Sequence, residues 1–234
     1  MSALLEISRL SKDYQGLRPL RIAQLTVVPG DVIVIGGIDS PGAETFVNLV
    51  TGATLPDEGD VILFGRNTRD IVDSDAWLKS LDGIGMITVR GILIGMFSVL
   101  QNIAMSFTLD VDPIDPRVVP QAGALARAVG IDQAQFDLPA GQLPLDVQMR
   151  VHLARSLALE PKILIAEHAS AALPRESVAQ FGADVARVAQ SRGLALIAIT
   201  ADEVFAKAMG GRRVELVPAS GELRGPGLLK KLFG

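Results

Sequence analysis

The chain has 234 residues, 49 % of them hydrophobic and 21 % charged, which excludes a disordered tail and allows one large core or two small ones. Twenty-two Lys and Arg against 26 Asp and Glu give a formal charge of −4, too balanced for a general nucleic-acid binder, so no nucleic-acid partner is expected. The absence of cysteine excludes disulfides, thiolate zinc sites and cysteine nucleophiles.

In chain order, Leu4–Leu10 and Leu20–Val28 are apolar, extended runs, and Pro29-Gly30-Asp31 after them has turn chemistry. Asp31–Ile35 reads as a short strand running into Gly36-Gly37. A helix follows, with Phe46, Leu49 and Val50 on one face. Glu58-Gly59-Asp60 turns into a strand at Val61–Phe64. Residues 97–158 carry helical patterns, broken by the linker Asp112-Pro113-Ile114-Asp115-Pro116, and Val147–Leu159 reads as a helix. Alternation then returns: strand 162–166, helix 175–192, strand Leu194–Thr200, helix 202–209 and strand Val214–Val217. Strands alternating with helices imply a parallel sheet covered on both faces. The expectation is an α/β domain over residues 1–226, with antiparallel β structure near its start and a helical subdomain at about 90–158. The end, 227–234, reads as a short amphipathic tail with Leu228, Leu229, Leu232 and Phe233 near one side.

No segment reaches the roughly 18 apolar residues of a membrane-spanning helix. The start lacks the basic and apolar regions of a secretion signal, so a cytoplasmic location is expected. A mean hydropathy of +0.36 nevertheless suggests apolar surface kept for a partner. The apolar stretch Ile92–Phe97 reads equally as such a surface or as ordinary core.

Strand, glycine-rich turn, helix is the setting of a phosphate-binding loop. There, backbone N–H groups and the positive helix end cradle phosphates, a Lys reaches the β/γ-phosphates and a Ser/Thr hydroxyl holds Mg²⁺. Gly37-Ile38-Asp39-Ser40-Pro41-Gly42 has the glycines at that spacing, but Ala43 and Glu44 follow where Lys and Ser/Thr are wanted, and Thr45 comes next. No Lys or Arg occurs between Ile22 and Gly65, so Glu44 is expected to face an incoming triphosphate without a neighbouring cation from this segment. A like-charge pair about 4 Å apart costs about 1 to 4 kcal/mol. Lost lysine contacts remove about another 1.5 to 3 kcal/mol. The two amount to roughly two to five decades of affinity. Glu44 is also placed to cap its helix or complement the helix dipole from the first turn.

Over almost its full length the chain resembles the nucleotide-binding subunit of an ABC transporter. The resemblance rests on the loop above, on Ile84–Val89 followed by Ser98-Val99-Leu100-Gln101-Asn102, and on the block QMRVHLARSLALEPKILIAEHASAAL. It implies an α/β fold of the P-loop NTPase type, with an antiparallel β subdomain and an inserted helical subdomain. It places Tyr14 where the family stacks an aromatic ring on adenine, and Gly37, Gly42, Ala43, Glu44 and Thr45 in the nucleotide site. Val89 falls at the Q-loop glutamine, Leu143-Pro144-Leu145-Asp146-Val147 at the signature and Pro174 at the D-loop aspartate. Glu167 and His168 fall at the Walker B aspartate and the catalytic glutamate beside it, and Ala201 at the switch histidine. Leu138-Pro139-Ala140-Gly141-Gln142 looks like a signature but lies five residues too far from Arg150.

As the resemblance implies, each ATP is sandwiched between Walker A of one subunit and the signature of another. The favoured expectation is therefore a pseudo-ATPase: a binding or structural module with no assigned metal or cofactor. Its partners would be a membrane permease or a second ABC-type subunit in a homo- or heterodimer, peripherally at the inner membrane face. The alternative is a divergent active ATPase using ATP and Mg²⁺, with His168 as general base. A third reading gives the pocket a neutral or cationic ligand suited to Asp39 and Glu44.

Overall fold

The computed structural model describes residues 2–88 and 90–225. The expectations placed on Val89 and on the tail at 227–234 lie outside the described residues.

Two sheets organise these residues. The first joins β1 (Leu5–Lys12), β2 (Leu20–Val27), β4 (Glu58–Leu63) and β5 (Arg66–Asn67) in the antiparallel order β2-β1-β4-β5. The register of β1 against β4 shifts between Ser8 and Ser11, where Arg9 adopts φ +47. This irregularity lets Leu10 point inward although Leu5 and Ile7 set the opposite parity.

The second sheet joins β3 (Val32–Gly36), β6 (Ile84–Thr88), β7 (Ile163–Glu167), β8 (Ala195–Ile199), β9 (Arg212–Val217) and β10 (Glu222–Arg224) in the order β10-β9-β3-β8-β7-β6. All of its pairs are parallel except that of β10 with β9. Alternation along these strands explains their unbroken apolar runs. Ile33, Ile35, Ile163, Ile165, Ile197 and Ile199 face a cluster shared with the antiparallel sheet and with Phe46 and Leu49. Val34, Leu164, Ala166, Leu196 and Ala198 face the opposite cluster, built with the later helices.

Helix α1 (Ser40–Val50) follows β3 directly, and α2 (Ser74–Leu81) precedes β6. Between β6 and β7 lie α3 (Val99–Ala104), α4 (Val119–Ala128) and α5 (Leu145–Ser156), packed through Ile103, Ala122, Ala126, Leu153 and Ala154. Helices α6 (Arg175–Ser191) and α7 (Glu203–Met209) stack Phe181 on Phe205. The alternating pattern expected from the sequence is present, with two corrections. Helix α2, whose inward face is only half-buried, and the edge strand β10 are additional elements with too few buried apolar residues to signal a period.

Candidate functional site

The loop from Gly36 to Asp39 leaves the C-terminal end of β3 and enters α1, at the point where a parallel sheet presents strand ends and a helix N-terminus together. Gly37 has φ +76, and a Cβ there would lie 2.7 Å from the Leu216 carbonyl oxygen, so both conformation and space require glycine. Asp39 is the N-cap of α1: its Oδ1 accepts the Gly42 N–H at 2.8 Å. The Tyr14 hydroxyl donates to the same carboxylate at 3.3 Å, and the Tyr14 pKa is raised by burial and by the Asp39 charge. Tyr14 also lines a cavity of about 280 Å³ with Leu17, Arg18, Ile38 and Leu216. Thr45 turns its hydroxyl onto the Pro41 carbonyl at 2.8 Å, and Ala43 is fully buried in the cluster behind the loop.

The sequence expectation that Glu44 caps its helix needs a correction. The capping carboxylate is that of Asp39, while Glu44 lies beyond the first turn of α1. The segment from Ile22 to Gly65 supplies no cation, as expected, but Arg90, from far along the chain, forms an ion pair with Glu44. The same guanidinium donates to Glu167 Oε2 at 2.6 Å, so Arg90 bridges α1 and the end of β7. The bridge joins the two positions that the resemblance assigns to the magnesium hydroxyl and to the Walker B aspartate. Local sequence could not reveal it, since Arg90 lies 77 residues from Glu167 and outside the cation-free segment from Ile22 to Gly65.

His168 follows at φ +45, a region few non-glycine residues adopt, with its N–H donated to the Ile199 carbonyl and its Nε2 buried without a partner. Ala201 is exposed after β8, and Asp202 beside it accepts from Ser170, Arg175 and the first amides of α7. The signature-like positions open α5, whose N-cap Pro144 provides no side-chain hydrogen bond. Asp146 in the first turn is paired with Arg150, which also holds Asp184. Within residues 138–142, Ala140–Gln142 form a 3₁₀ turn just ahead of α5, with the Ala140 and Gly141 amides donating to the carbonyls of Phe97 and Gly95. Among the described residues, no group of three or more His, Asp or Glu side chains is arranged to hold a metal ion.

A groove runs beside β6 and α5, about 260 Å³ in volume, lined by Met86, Gly91, Ile92, His152, Arg155 and Leu159. The sequence left Ile92–Phe97 open between surface and core, and the structure divides it. Ile92 and Met96 are 79 % and 80 % exposed, while Leu93 and Phe97 pack on the core. His152 is half-buried in the groove, and burial followed by the Arg155 charge lowers its pKa to about 4. Among the described residues no helix is long and apolar enough to cross a membrane.

This sheet order, glycine-rich loop and set of helices between β6 and β7 define the ATP-binding cassette fold. The fold matches cbiO1 from Clostridium perfringens, part of the ABC transporter complex cbiONQ, at TM-score 0.80 and 20 % identity over 100 % of this chain and 91 % of that one. It also matches a dimeric ATP-binding cassette bound to ADP and Pi at TM-score 0.73 and 22 % identity, over 94 % and 96 % of the two chains. The chain is a homologue of ABC transporter ATP-binding subunits. It is 32 % identical over 202 residues to the ribose import ATP-binding protein RbsA 1 of Mesorhizobium japonicum, covering 84 % of this chain and 38 % of that protein. It is 30 % identical over 204 residues to the methionine import ATP-binding protein MetN 1 of Burkholderia lata, covering 84 % and 58 %. The lipoprotein-releasing system ATP-binding protein LolD of Geobacter metallireducens is 28 % identical over 221 residues, covering 93 % and 97 %. The chain thus spans less than two thirds of each of the first two relatives. No family model matches it.

Proposed function

We propose that this chain is an ABC-type subunit that has given up productive Mg-ATP binding and serves a membrane transport complex as a binding module. The observation that carries the reading is the Asp39 carboxylate on the Gly42 N–H: the amide at the head of α1 already holds an anion, one supplied by the chain itself. Tyr14 closes over the same carboxylate, and the buried Ala43 offers no charge from the lysine position. The Arg90 bridge to Glu44 lessens the like-charge repulsion inferred from sequence. It also engages the carboxylate that a metal would need, so the residues present do not fit a magnesium–triphosphate.

The surface offered to a partner is the groove at Met86, Ile92 and Leu159, where apolar side chains stand exposed beside Arg155. A permease segment, with its membrane-proximal apolar residues, suits that surface, in keeping with relatives named for ribose import, methionine import and lipoprotein release. The chain would then lie peripherally at the membrane, alone or beside a second cassette. The transported substrate would be chosen by the other subunits.

Calorimetry with millimolar Mg-ATP tests the nucleotide part of this reading, and no saturable heat is expected. Saturable binding, or phosphate release that disappears in His168→Ala, would restore the active alternative.

A further inference from the structure

We propose that Arg90 is a built-in counter-ion standing where the cassette fold implies a metal, and that it fixes the 91–98 segment and its groove without any divalent cation. The inference rests on the reading above that the site does not load Mg-ATP. Its ground is the disagreement between the implied metal and the side chains present. Glu44 and Glu167 converge from α1 and β7, and the charge between them is a guanidinium. Glu167 is nearly buried, its side chain only 6 % exposed, so a cation beside it is needed whether or not a metal is available. A forked, permanently charged guanidinium can bond two carboxylates at once, as the Arg90 amino groups do here.

The consequence runs along the chain. Arg90 is followed by Gly91 and Ile92, both on the groove, and the Arg155 guanidinium donates to the Ile92 carbonyl at 2.8 Å. The buried Asn102 amide accepts the Ile94 N–H and donates to the carbonyls of Ile94, Phe97 and Ser98. Gly141 donates its N–H to the Gly95 carbonyl. The segment is thus pinned at one end by the ion pair and then at three further points. In this arrangement the groove is held by the chain's own ion pairs and hydrogen bonds, with no divalent cation among them.

Hydrogen exchange of the 91–97 amides, with Mn²⁺ alone as probe and Mn²⁺ binding followed by paramagnetic resonance, tests the proposal on the full chain. The wild type is expected to bind no Mn²⁺ at these carboxylates and to exchange identically with and without it. In Arg90→Ala the amides are expected to exchange about tenfold faster or more, as loss of a charge-assisted bond implies. Mn²⁺ should then bind between the freed carboxylates and restore protection. Arg90→Lys, which keeps the charge and loses the fork, should fall between the two and serves if the alanine variant does not fold. Wild-type uptake of Mn²⁺ at this position overturns the proposal. Unchanged exchange in both variants, or an alanine variant that folds without gaining Mn²⁺, does so equally. Mg-ATP binding by the wild type is measured separately, so failure of the functional reading is told apart from failure of the tether.

Discussion

Asp39 illustrates how one carboxylate can decide what a glycine-rich loop does. It satisfies an orphan amide of α1 and receives the Tyr14 hydroxyl, so cap and cradle are the same group. Removing it in Asp39→Ala should lower the unfolding free energy by about 1 kcal/mol, with Asp39→Ser recovering most of that, read from denaturant midpoints. The chain has one tyrosine, so its ionisation can be followed cleanly by ultraviolet absorbance. Burial and the Asp39 charge both favour the neutral phenol and hold its pKa above the ordinary 10.0. Asp39→Asn should move that titration back toward 10.0 while leaving the part due to burial. A titration unmoved by the substitution would place the Tyr14 hydroxyl elsewhere.

Elements were legible from sequence where a buried face imposed a period, and obscure where a single distant side chain decided the geometry. The strand–loop–α1 unit follows from apolar residues at Ile33, Ile35, Phe46 and Leu49 and from glycines at the required turn, so its place was evident. The helices between β6 and β7 and the alternation after Ile163 were legible for the same reason. Arg90 was not: no local period links it to Glu44 or Glu167, and only the folded sheet brings them together. Which residues of 92–97 face outward was equally hidden. The loop there follows no regular period and takes its shape from Asn102, fully buried in α3, whose amide bonds three carbonyls and one N–H of the preceding segment. Truncating Asn102 to alanine strands the Ile94 N–H, while the Ile94, Phe97 and Ser98 carbonyls keep the backbone amides of Phe97, Ala140 and Asn102; a buried orphan costs about 1 to 3 kcal/mol before water enters. Asn102→Ala should therefore lose about 1 to 3 kcal/mol of stability. Amides 94–98 should exchange faster by more than the global loss explains; uniform acceleration across the chain would deny Asn102 its local role.

The molecule as a whole buries two apolar clusters against opposite faces of one sheet, and four of its ionisable groups tie its stability to pH. The pKa values of His152, Asp57, Asp115 and Asp202 are shifted downward. His152 has a folded-state pKa of about 4 against an ordinary 6.5, because burial and then the Arg155 charge disfavour imidazolium. The unfolded chain therefore binds this proton first. The stability linked to His152 is complete above pH 6.5 and is lost as pH falls from there to about 4. Asp57, held by the Lys12 ammonium, and Asp115, held at about 2 by Arg117, are depressed. Asp202 is depressed too: burial would raise its pKa, but its amide donors and Arg175 outweigh burial. Stability due to these carboxylates is intact above their ordinary 3.8 and disappears only below it. Acidification should thus weaken the protein in two separated stages, the first at His152. Denaturant unfolding at intervals between pH 7 and pH 3 should show a decline beginning near 6.5 in the wild type. In His152→Asn, whose amide carries no proton equilibrium in this range, the curve should stay flat down to about 4, where the carboxylate stage begins. A wild-type curve flat through the first window would mean that His152 is open to water and that the groove wall beside Gly91 is looser than drawn.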